Sequence, residues 1–406
     1  MRLKEIVPIV ISIMLFAASV AFSVLTPETA PEPSEEPAKE VAATVDETEP
    51  QQEMRGVWIT YMELSTANED NKSEAAFREK FAHMAYTCKT RGFNTLVVQV
   101  RPFADALYRS SLYPASHVLT GVQGEAADYD ALEVMCEICG NFGLAIHAWV
   151  NPYRIKANET PQELCDENIY VKRPDICIET DSGIILDPSN EDARKLIEDG
   201  VLEIAEKYDV DGIQFDDYFY PTDVGEADYG EYTEYLDSHP ASGLSLERWR
   251  ELNVNILLSE IHLRLQGCGK NVVFGISPQG NLDNNAQLSA DVVSWCCIKG
   301  FADYICPQIY FSLDNPKLGF ERAAQDWCDL PLAEGVRLYA GLAGYKSGTD
   351  ADEGTWLGQS DILKAEYNIL KKKNEFSGFM LYSYSSLKNE DAAEEIDNLC
   401  REFESD

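Results

Sequence analysis

Basic residues are scarce in this 406-residue sequence, which holds 33 lysines and arginines against 70 aspartates and glutamates. The formal charge of -37 argues against functions that depend on nucleic acid, because binding to nucleic acid needs clustered lysine and arginine. It also opposes electrostatic capture of any anionic polymer. We therefore expect a ligand that is held mainly by stacking and by hydrogen bonds.

Histidine is rarer still, with five residues in the chain, and the common catalytic motifs are missing. The sequence has no HExxH, no second histidine at metal-ligand spacing, no GxSxG elbow and no phosphate-binding loop. These absences argue against the usual zinc enzymes, serine hydrolases and nucleotide hydrolases. We expect no metal and no other cofactor, so a metal-dependent deacetylase of glycans is disfavoured as well.

Cysteine is absent before Cys88, which rules out a lipid-modified N-terminal cysteine. The eleven cysteines that follow are an odd number for an exported protein, so at least one must stay unpaired. Most stand among apolar residues, and the Cys136-x-x-Cys139 pair has no matching second pair. We expect buried free thiols rather than a metal or redox site.

The N-terminal segment has the pattern of an export signal. Arg2 and Lys4 precede an apolar run from Ile6 to Val24, and Ser19-Val20-Ala21 offers small residues suited to cleavage. The run is nearly long enough to span a bilayer, so residues 1–25 are predicted as either a signal peptide or an uncleaved membrane anchor.

The next segment, 26–52, is rich in Pro, Glu, Ala and Thr and has few large apolar residues. This composition predicts a disordered acidic linker. The folded domain is expected over 53–406, outside the cell or on its surface. Contact with a membrane is expected only through the N-terminal segment, and no feature indicates an obligate protein partner.

From Arg55 onward, short apolar runs alternate with amphipathic stretches. This alternation predicts a parallel sheet, and eight strand–helix units predict closure into a (β/α)8 TIM barrel. A doubly wound open sheet is the alternative, but no Gly-rich phosphate loop follows the first strand. The predicted strands are 55–61, 95–100, 144–150, 212–215, 272–277, 304–308, 337–340 and 378–382.

Two consecutive carboxylates, Asp216 and Asp217, follow the apolar run 212–215. Charges do not belong inside a strand that is buried on both faces, so the pair should mark its C-terminal end, where α/β folds bind ligands. The alternative is that one Asp caps a loop or helix and the other is solvated. We predict that the chain turns after the strand and that both are catalytic carboxyls of a glycosidase.

Other polar and aromatic residues end or follow the predicted strands, as a binding site for a polyhydroxylated ligand requires. For His147 a place in the core is an equal alternative, and Arg101 has the alternative of a structural ion pair with Asp105 or Asp217. The predicted substrate contacts are Arg101, Asp105, His147, Trp149, Asn151, Tyr153, Arg154, Tyr218, Tyr220, Gln279, Asn281, Gln308, Tyr310, Tyr382 and Tyr384.

Seven motifs, in this order, carry a family resemblance: RGVWITY, VQVRPFADALY, HAWVNPYR, LDPSN, GIQFDDYFYP, ISPQG and PQIYF. From about Met54 to the C terminus the chain resembles the bacterial glycosyl-hydrolase-like family ten. The resemblance implies a (β/α)8 barrel, export, and cleavage of a glycan, with cell-wall glycan the substrate class of some members. It also implies a role for the Asp pair. The chain departs from the family at Gln214, where many members have His, and at Gln279 and Asp283, where an aromatic residue and an Arg are frequent.

Three mechanisms or functions remain open at this point. Retaining and inverting glycosidases need two carboxyl groups about 5 Å or about 6.5–9.5 Å apart, and here Asp216 would be the nucleophile and Asp283 a distant acid. A carbohydrate-binding barrel without turnover would keep the aromatic residues. Adjacent acids without an obvious third carboxylate favour substrate-assisted cleavage of N-acetylhexosamine-containing cell-wall glycan, with Asp217 as the acid and Asp216 as its partner.

Overall fold

The structure is a computed structural model that describes residues 52–403. The predicted signal segment and all but the last residue of the predicted linker lie outside the described residues. The strands are β1 Met54–Ile59, β2 Thr95–Arg101, β3 Ala145–Val150, β4 Arg154–Ala157, β5 Cys177–Thr180, β6 Gly183–Leu186, β7 Gly212–Phe215, β8 Val273–Ile276, β9 Tyr304–Ile305, β10 Arg337–Leu342 and β11 Phe376–Tyr382.

Eight parallel strands close into a barrel in the order β1-β11-β10-β9-β8-β7-β3-β2. Every barrel strand was predicted from its apolar run, and the predicted (β/α)8 TIM barrel is confirmed. Because all eight strands are parallel, their C-terminal ends meet at one rim, and the residues that follow them lie around a common mouth.

Helices surround the barrel, and local sequence sets their ends. For example, the Asn190 side chain accepts hydrogen bonds from the backbone N–H groups of Asp192 and Ala193, which starts the helix Glu191–Lys207. The longer helices are Glu74–Thr90, Ala131–Phe142, Glu191–Lys207, Tyr229–Ser238, Leu246–Gly267, Val292–Cys297, Phe320–Cys328, Ile362–Leu370 and Ala393–Glu402. Single turns of helix span Tyr61–Leu64, His117–Thr120, Ile169–Lys172 and Leu282–Asn285. In the short turn Ala351–Gly354, Asp352 and Glu353 adopt left-handed backbone angles.

The structure adds a small antiparallel sheet, in the order β4-β6-β5, between the third and fourth barrel strands. We expected only a long loop there. Each of its strands has four residues, which is too short for an alternating pattern to stand out in the sequence. The helix Tyr229–Ser238 was also missed, because none of its side chains is fully buried and its apolar pattern is therefore weak.

Large side chains fill the inside of the barrel, where Trp58, Trp149 and Tyr304 pack with Met380. Many barrels of this class fill the same space with branched aliphatic residues. These large rings fit only where a facing strand position carries no side chain. Gly275 provides it, because a Cβ atom at that position would lie 1.9 Å from the Tyr304 ring.

Two further properties of the described chain bear on the sequence analysis. All eleven cysteines are free thiols, and Cys88, Cys139, Cys296 and Cys306 are fully buried, which confirms the expectation of unpaired cysteines. Over residues 52–403 no helix has the length and apolarity needed to cross a membrane.

Candidate active site

Asp216 lies just beyond β7 and accepts hydrogen bonds from side chains at the end of the neighbouring strand β3. Its Oδ2 accepts hydrogen bonds from Trp149 Nε1 at 3.1 Å and from the amide of Asn151, and its Oδ1 accepts from the backbone N–H of Tyr218 at 3.3 Å. Only 4% of the residue is exposed. The carboxyl is therefore held rigidly at the bottom of the mouth.

Asp217 accepts hydrogen bonds from the other side of β7, from residues that follow β8 and β9. Its Oδ1 accepts a hydrogen bond from Gln308 Nε2 at 2.8 Å, and its Oδ2 accepts one from the amide of Gln279. Gln279 follows β8 and Gln308 follows β9. Although the two acids are adjacent in sequence, the chain has turned after Phe215, and both carboxyls are bonded by residues of the same rim.

The two carboxyls differ in how their surroundings affect ionisation. Burial, together with the charge of Asp217, raises the pKa of Asp216 to about 7, and Arg154 acts against this rise. Burial also raises the pKa of Asp217, but the amide donors Gln308 and Gln279 stabilise its ionised form and oppose the rise. The pair thus retains a proton close to neutral pH, and its surroundings favour Asp216 as the residue that carries it.

Arg154, in β4, brings a positive charge to the pair. Its guanidinium lies 5.0 Å from the centre of the Tyr218 ring and 4.9 Å from that of Phe103, and its Nε donates to the carbonyl of Pro102 at 2.7 Å. Tyr218 is 56% exposed and so presents a ring at the edge of the mouth. The charge of Arg154 lowers the pKa of both aspartates, which places it within electrostatic reach of them.

Aromatic rings form the opposite side of the mouth. The ring centre of Tyr382 lies 6.4 Å from that of Trp149 and 5.7 Å from those of Tyr310 and Tyr345. Tyr345 is 43% exposed, so this group presents an open apolar face. Such faces suit the C–H groups of a sugar ring, while the carboxyls and amides below can bind hydroxyl groups.

The family described as "Glycosyl hydrolase-like 10" matches residues 53–357. The chain belongs to the glycosyl hydrolase-like 10 family. The resemblance inferred from the seven motifs is thereby confirmed, and membership supports a glycosidase-type enzyme.

Two curated relatives of this glycosyl hydrolase-like 10 protein are also named glycosyl hydrolases. YngK of Bacillus subtilis is 31% identical over 322 residues, which cover 75% of this chain and 63% of YngK. DigH of Escherichia coli K12 is 28% identical over 375 residues, which cover 82% of this chain and 83% of DigH. This chain therefore spans less than two thirds of the length of YngK.

Solved structures confirm the fold. The glycoside hydrolase domain of PgaB (BpsB) from Bordetella bronchiseptica aligns with a TM-score of 0.56 and 11% identity over 86% of this chain and 99% of that domain. Alpha-L-fucosidase isoenzyme 2 from Paenibacillus thiaminolyticus aligns with a TM-score of 0.55 and 13% identity over 87% of this chain and 49% of that one. At these identities the likeness shows the barrel alone.

Several predicted contacts lie elsewhere in this family member. His147 points into the barrel two residues before Trp149, and is therefore one layer deeper. Its Nδ1 is 2.9 Å from the Tyr304 hydroxyl, and the residue is 2% exposed. Burial lowers the pKa of His147 to about 4, so the imidazole is neutral. The prediction of substrate contact is wrong, and the core alternative is correct.

Arg101 is also displaced from the mouth. The pairing of β2 with β3 shifts register between Gln99 and Arg101, and this irregularity turns the Arg101 side chain outward. It packs under the helix Glu191–Lys207, with its guanidinium 4.5 Å from the Tyr113 ring centre. A Cβ atom at Gly200 would lie 2.3 Å from Arg101 Nη1. The predicted substrate contact is corrected to a structural role.

Five more candidates are engaged in holding the rim together or are buried behind it. Asp105 bonds His117 and Gln123, and it is fully buried. The side-chain oxygen of Asn281 caps the turn Leu282–Asn285. The remaining three, each at most 1% exposed, are Tyr153, Tyr220 and Tyr384. At this degree of burial none of the three rings stands open at the mouth.

Three residues that the sequence analysis did not single out contribute to the mouth. Tyr345 follows β10, one of the two barrel strands after which we named no residue, the other being β1. Gln99 accepts from the backbone N–H of Tyr61 and donates to Asn151 Oδ1 at 2.7 Å, which leaves the Asn151 amide to face Asp216. A glutamine inside a fully buried strand was the available indication.

The third is Glu63, which joins the first and last strand ends. Its carboxylate accepts from the backbone N–H of Thr60 at 2.6 Å, from Ser383 Oγ at 2.8 Å and from the backbone N–H of Ser385. The sequence indication was the Thr60-x-x-Glu63 capping box. Over residues 52–403 no cluster of three or more His, Cys, Asp or Glu side chains is arranged to hold a metal ion.

We expect Glu63→Gln to lower the free energy of unfolding by about 1–3 kcal/mol, because one oxygen becomes an amide that faces backbone donors. Urea unfolding monitored by tryptophan fluorescence measures the change. Glu125→Gln, at an exposed position, is the matched control and should leave stability within about 0.5 kcal/mol of wild type. Equal stability of the two variants would contradict the role given to Glu63.

Proposed function

We propose that this protein is an exported glycoside hydrolase that cleaves glycosidic bonds in N-acetylhexosamine-containing bacterial cell-wall glycan, with Asp216 and Asp217 as its catalytic carboxyls. The observation that carries the proposal is the pair of buried carboxyls with raised pKa values beneath an open aromatic rim. Membership of the family supports the reaction class. Export rests on the basic and apolar pattern of the N-terminal sequence.

The scarcity of other usable acids supports a substrate-assisted mechanism. Glu63 is occupied by three donors from its own rim, and Asp283 is exposed on the turn Leu282–Asn285. A double displacement would need an ionised Asp216, whereas burial and Asp217 favour its protonated form. If the acetamido oxygen of the sugar attacks the anomeric carbon, no nucleophile from the protein is required.

The hydrogen bonds support a division of roles. Oδ1 of Asp216 accepts only a long bond from a backbone N–H, so it can carry the proton that the leaving oxygen takes. Both oxygens of Asp217 accept from glutamine amides, which favours an ionised group that can orient the acetamido N–H and stabilise the positive charge of the cyclised sugar. This reverses the assignment expected from the sequence, in which Asp217 was the acid.

The proposal is tested by measuring reducing ends released from purified wall glycan. We expect turnover, and strong competitive inhibition by a thiazoline that mimics the cyclised sugar. Asp283→Asn should retain the rate of wild type, because the substrate-assisted mechanism does not use that residue. A covalent sugar trapped on Asp216 by a fluorosugar would refute the mechanism. Glycan binding without any release of reducing ends would favour the binding-barrel alternative.

A further inference from the structure

A groove opens beside Tyr218, between the small antiparallel sheet and the loop that follows β7. Its volume is about 480 Å³, within the range of about 300–1,000 Å³ that is typical of ligand sites. Arg154 and Lys156 of β4 lie on one wall, and the segment from Tyr218 to Asp223 forms the other. Asp223 joins the two walls by accepting hydrogen bonds from the backbone N–H of Ser182 at 2.7 Å and from its hydroxyl at 3.0 Å.

The groove is continuous with the carboxyl pair. Arg154 and Tyr218 line it and contact each other. Arg154 acts electrostatically on Asp216 and Asp217, and the backbone N–H of Tyr218 donates to Asp216. The groove lies between the small antiparallel sheet that follows β3 and the loop that follows β7, whereas Tyr310, Tyr345 and Tyr382 follow or end β9, β10 and β11 on the other side of the barrel. A polysaccharide that lies across the mouth therefore reaches the groove on one side of the carboxyls.

The charges that line the groove are unusual for this acidic chain. Among the described residues, neither Arg154 nor Lys156 forms an ion pair with a carboxylate, and Lys156 Nζ makes only a long contact of 3.4 Å with the carbonyl of Gln162. Asp223 is the one acidic side chain in the lining, and its bonds to Ser182 occupy it. The groove thus offers an excess of positive charge in a protein of net charge -37.

We propose that the groove binds a sugar unit bearing a carboxylate, next to the bond that is cleaved, with Lys156 as the group that pairs with the carboxylate. This inference rests on the proposed glycosidase function and adds a substrate preference to it. Because the net charge of the chain repels anions, a substrate with a carboxylate can bind well only where cationic side chains, here Arg154 and Lys156, lie close together. The shared chemistry is a sugar carboxylate, which either an ether-linked lactyl group or a uronic acid supplies.

Lys156 is the residue to test, because Arg154 also affects ionisation of the catalytic pair. Three oligosaccharides of equal length serve as probes: alternating N-acetylglucosamine and N-acetylmuramic acid with free lactyl carboxylates, the same chain after amidation, and alternating N-acetylglucosamine and glucuronic acid. Binding is measured by calorimetry on Asp217→Asn protein, which holds the substrate without rapid cleavage. The kcat and KM are measured in parallel on protein that retains Asp217.

We expect the free-acid lactyl or uronate chain to bind about tenfold or more tightly than the amidated chain. Lys156→Gln should reduce this ratio of affinities toward one, and in the kinetic measurements its effect should appear in KM. Lys156→Arg should restore the ratio, and high salt should lower it. Lys172→Gln, an exposed lysine outside the groove, is the control and should preserve the ratio. Whichever acid chain binds more tightly identifies the source of the carboxylate.

An equal affinity for acid and amidated chains, or a ratio that Lys156→Gln leaves unchanged, would overturn the inference. Because binding is measured on a protein that need not turn over, this result is separate from the proposed function. Absence of cleavage by wild type, combined with a preference for the acid chain that depends on Lys156, would reject the glycosidase proposal and keep the groove as a binding site.

Discussion

Asp216→Asn and Asp217→Asn should each slow the release of reducing ends from wall glycan by about 10²- to 10⁴-fold, the range that general acid–base groups contribute. The reason is that each carboxyl has a separate task and no neighbour replaces it. Of the two carboxyls, Gln279 and Gln308 bond Asp217 and not Asp216, whereas Trp149 and Asn151 bond Asp216 and not Asp217. Rates within threefold of wild type for either variant would contradict the catalytic assignment.

The two variants can be told apart with substrates that differ in their leaving group. An aryl glycoside with an acidic phenol leaves without protonation, so the variant that lacks the acid recovers much of its rate on that substrate. We expect this recovery for Asp216→Asn. We also expect wild-type activity to decline above about pH 7, where Asp216 ionises, and this decline to be lost in Asp216→Asn. Recovery by Asp217→Asn instead would restore the assignment expected from the sequence.

Asp216→Asn should also stabilise the fold at alkaline pH relative to wild type. The folded-state pKa of Asp216 is about 7, above the unfolded value of about 3.9, so folding favours its protonated form. The stability that this form contributes is complete below about pH 4 and is lost as pH rises through about 7. The loss amounts to as much as about 4 kcal/mol. An asparagine does not ionise and escapes this loss.

Urea unfolding at pH 5 and pH 8 measures the effect, with the difference in unfolding free energy between variant and wild type as the readout. We expect this difference to increase in favour of the variant from pH 5 to pH 8. Asp283→Asn, at an exposed site, is the control and should show a difference that hardly changes with pH. A pH-independent difference for Asp216→Asn would mean that burial does not raise the pKa of this carboxyl.

The sequence was sufficient for the barrel and for the Asp pair, because both depend on local pattern. Short apolar runs separated by helices predict a closed parallel sheet, and acids at the end of such a run predict a site at the rim. The position of Arg101 could not be predicted in this way. Whether it faces the mouth depends on a register shift between β2 and β3, which is a property of the pair of strands and not of either one.

The sequence also could not show how deep in the barrel each residue of a strand lies. His147 and Trp149 face the same side of β3, but only Trp149 reaches Asp216, because the strand pairing sets which layer meets the mouth. The groove beside Tyr218 depends on a sheet of four-residue strands that carry almost no pattern. The local sequence could indicate which residues have suitable chemistry, whereas tertiary pairing decided which of them meet.

The bonds of Glu63 have a consequence for the order in which the molecule folds. Ser383 lies 320 residues beyond Glu63 in the chain, and β1 pairs with β11 as well as with β2. Contacts so distant in sequence carry a high entropic cost of loop closure and tend to form late. Tyr382 lies opposite Trp58 in the β1–β11 pairing, so part of the aromatic rim arrives only with that closure. During synthesis, which proceeds from the N terminus, the chain can already bring the Asp pair together with its β3 neighbours. The mouth becomes complete only after the last strand, β11, has been made and has paired with β1.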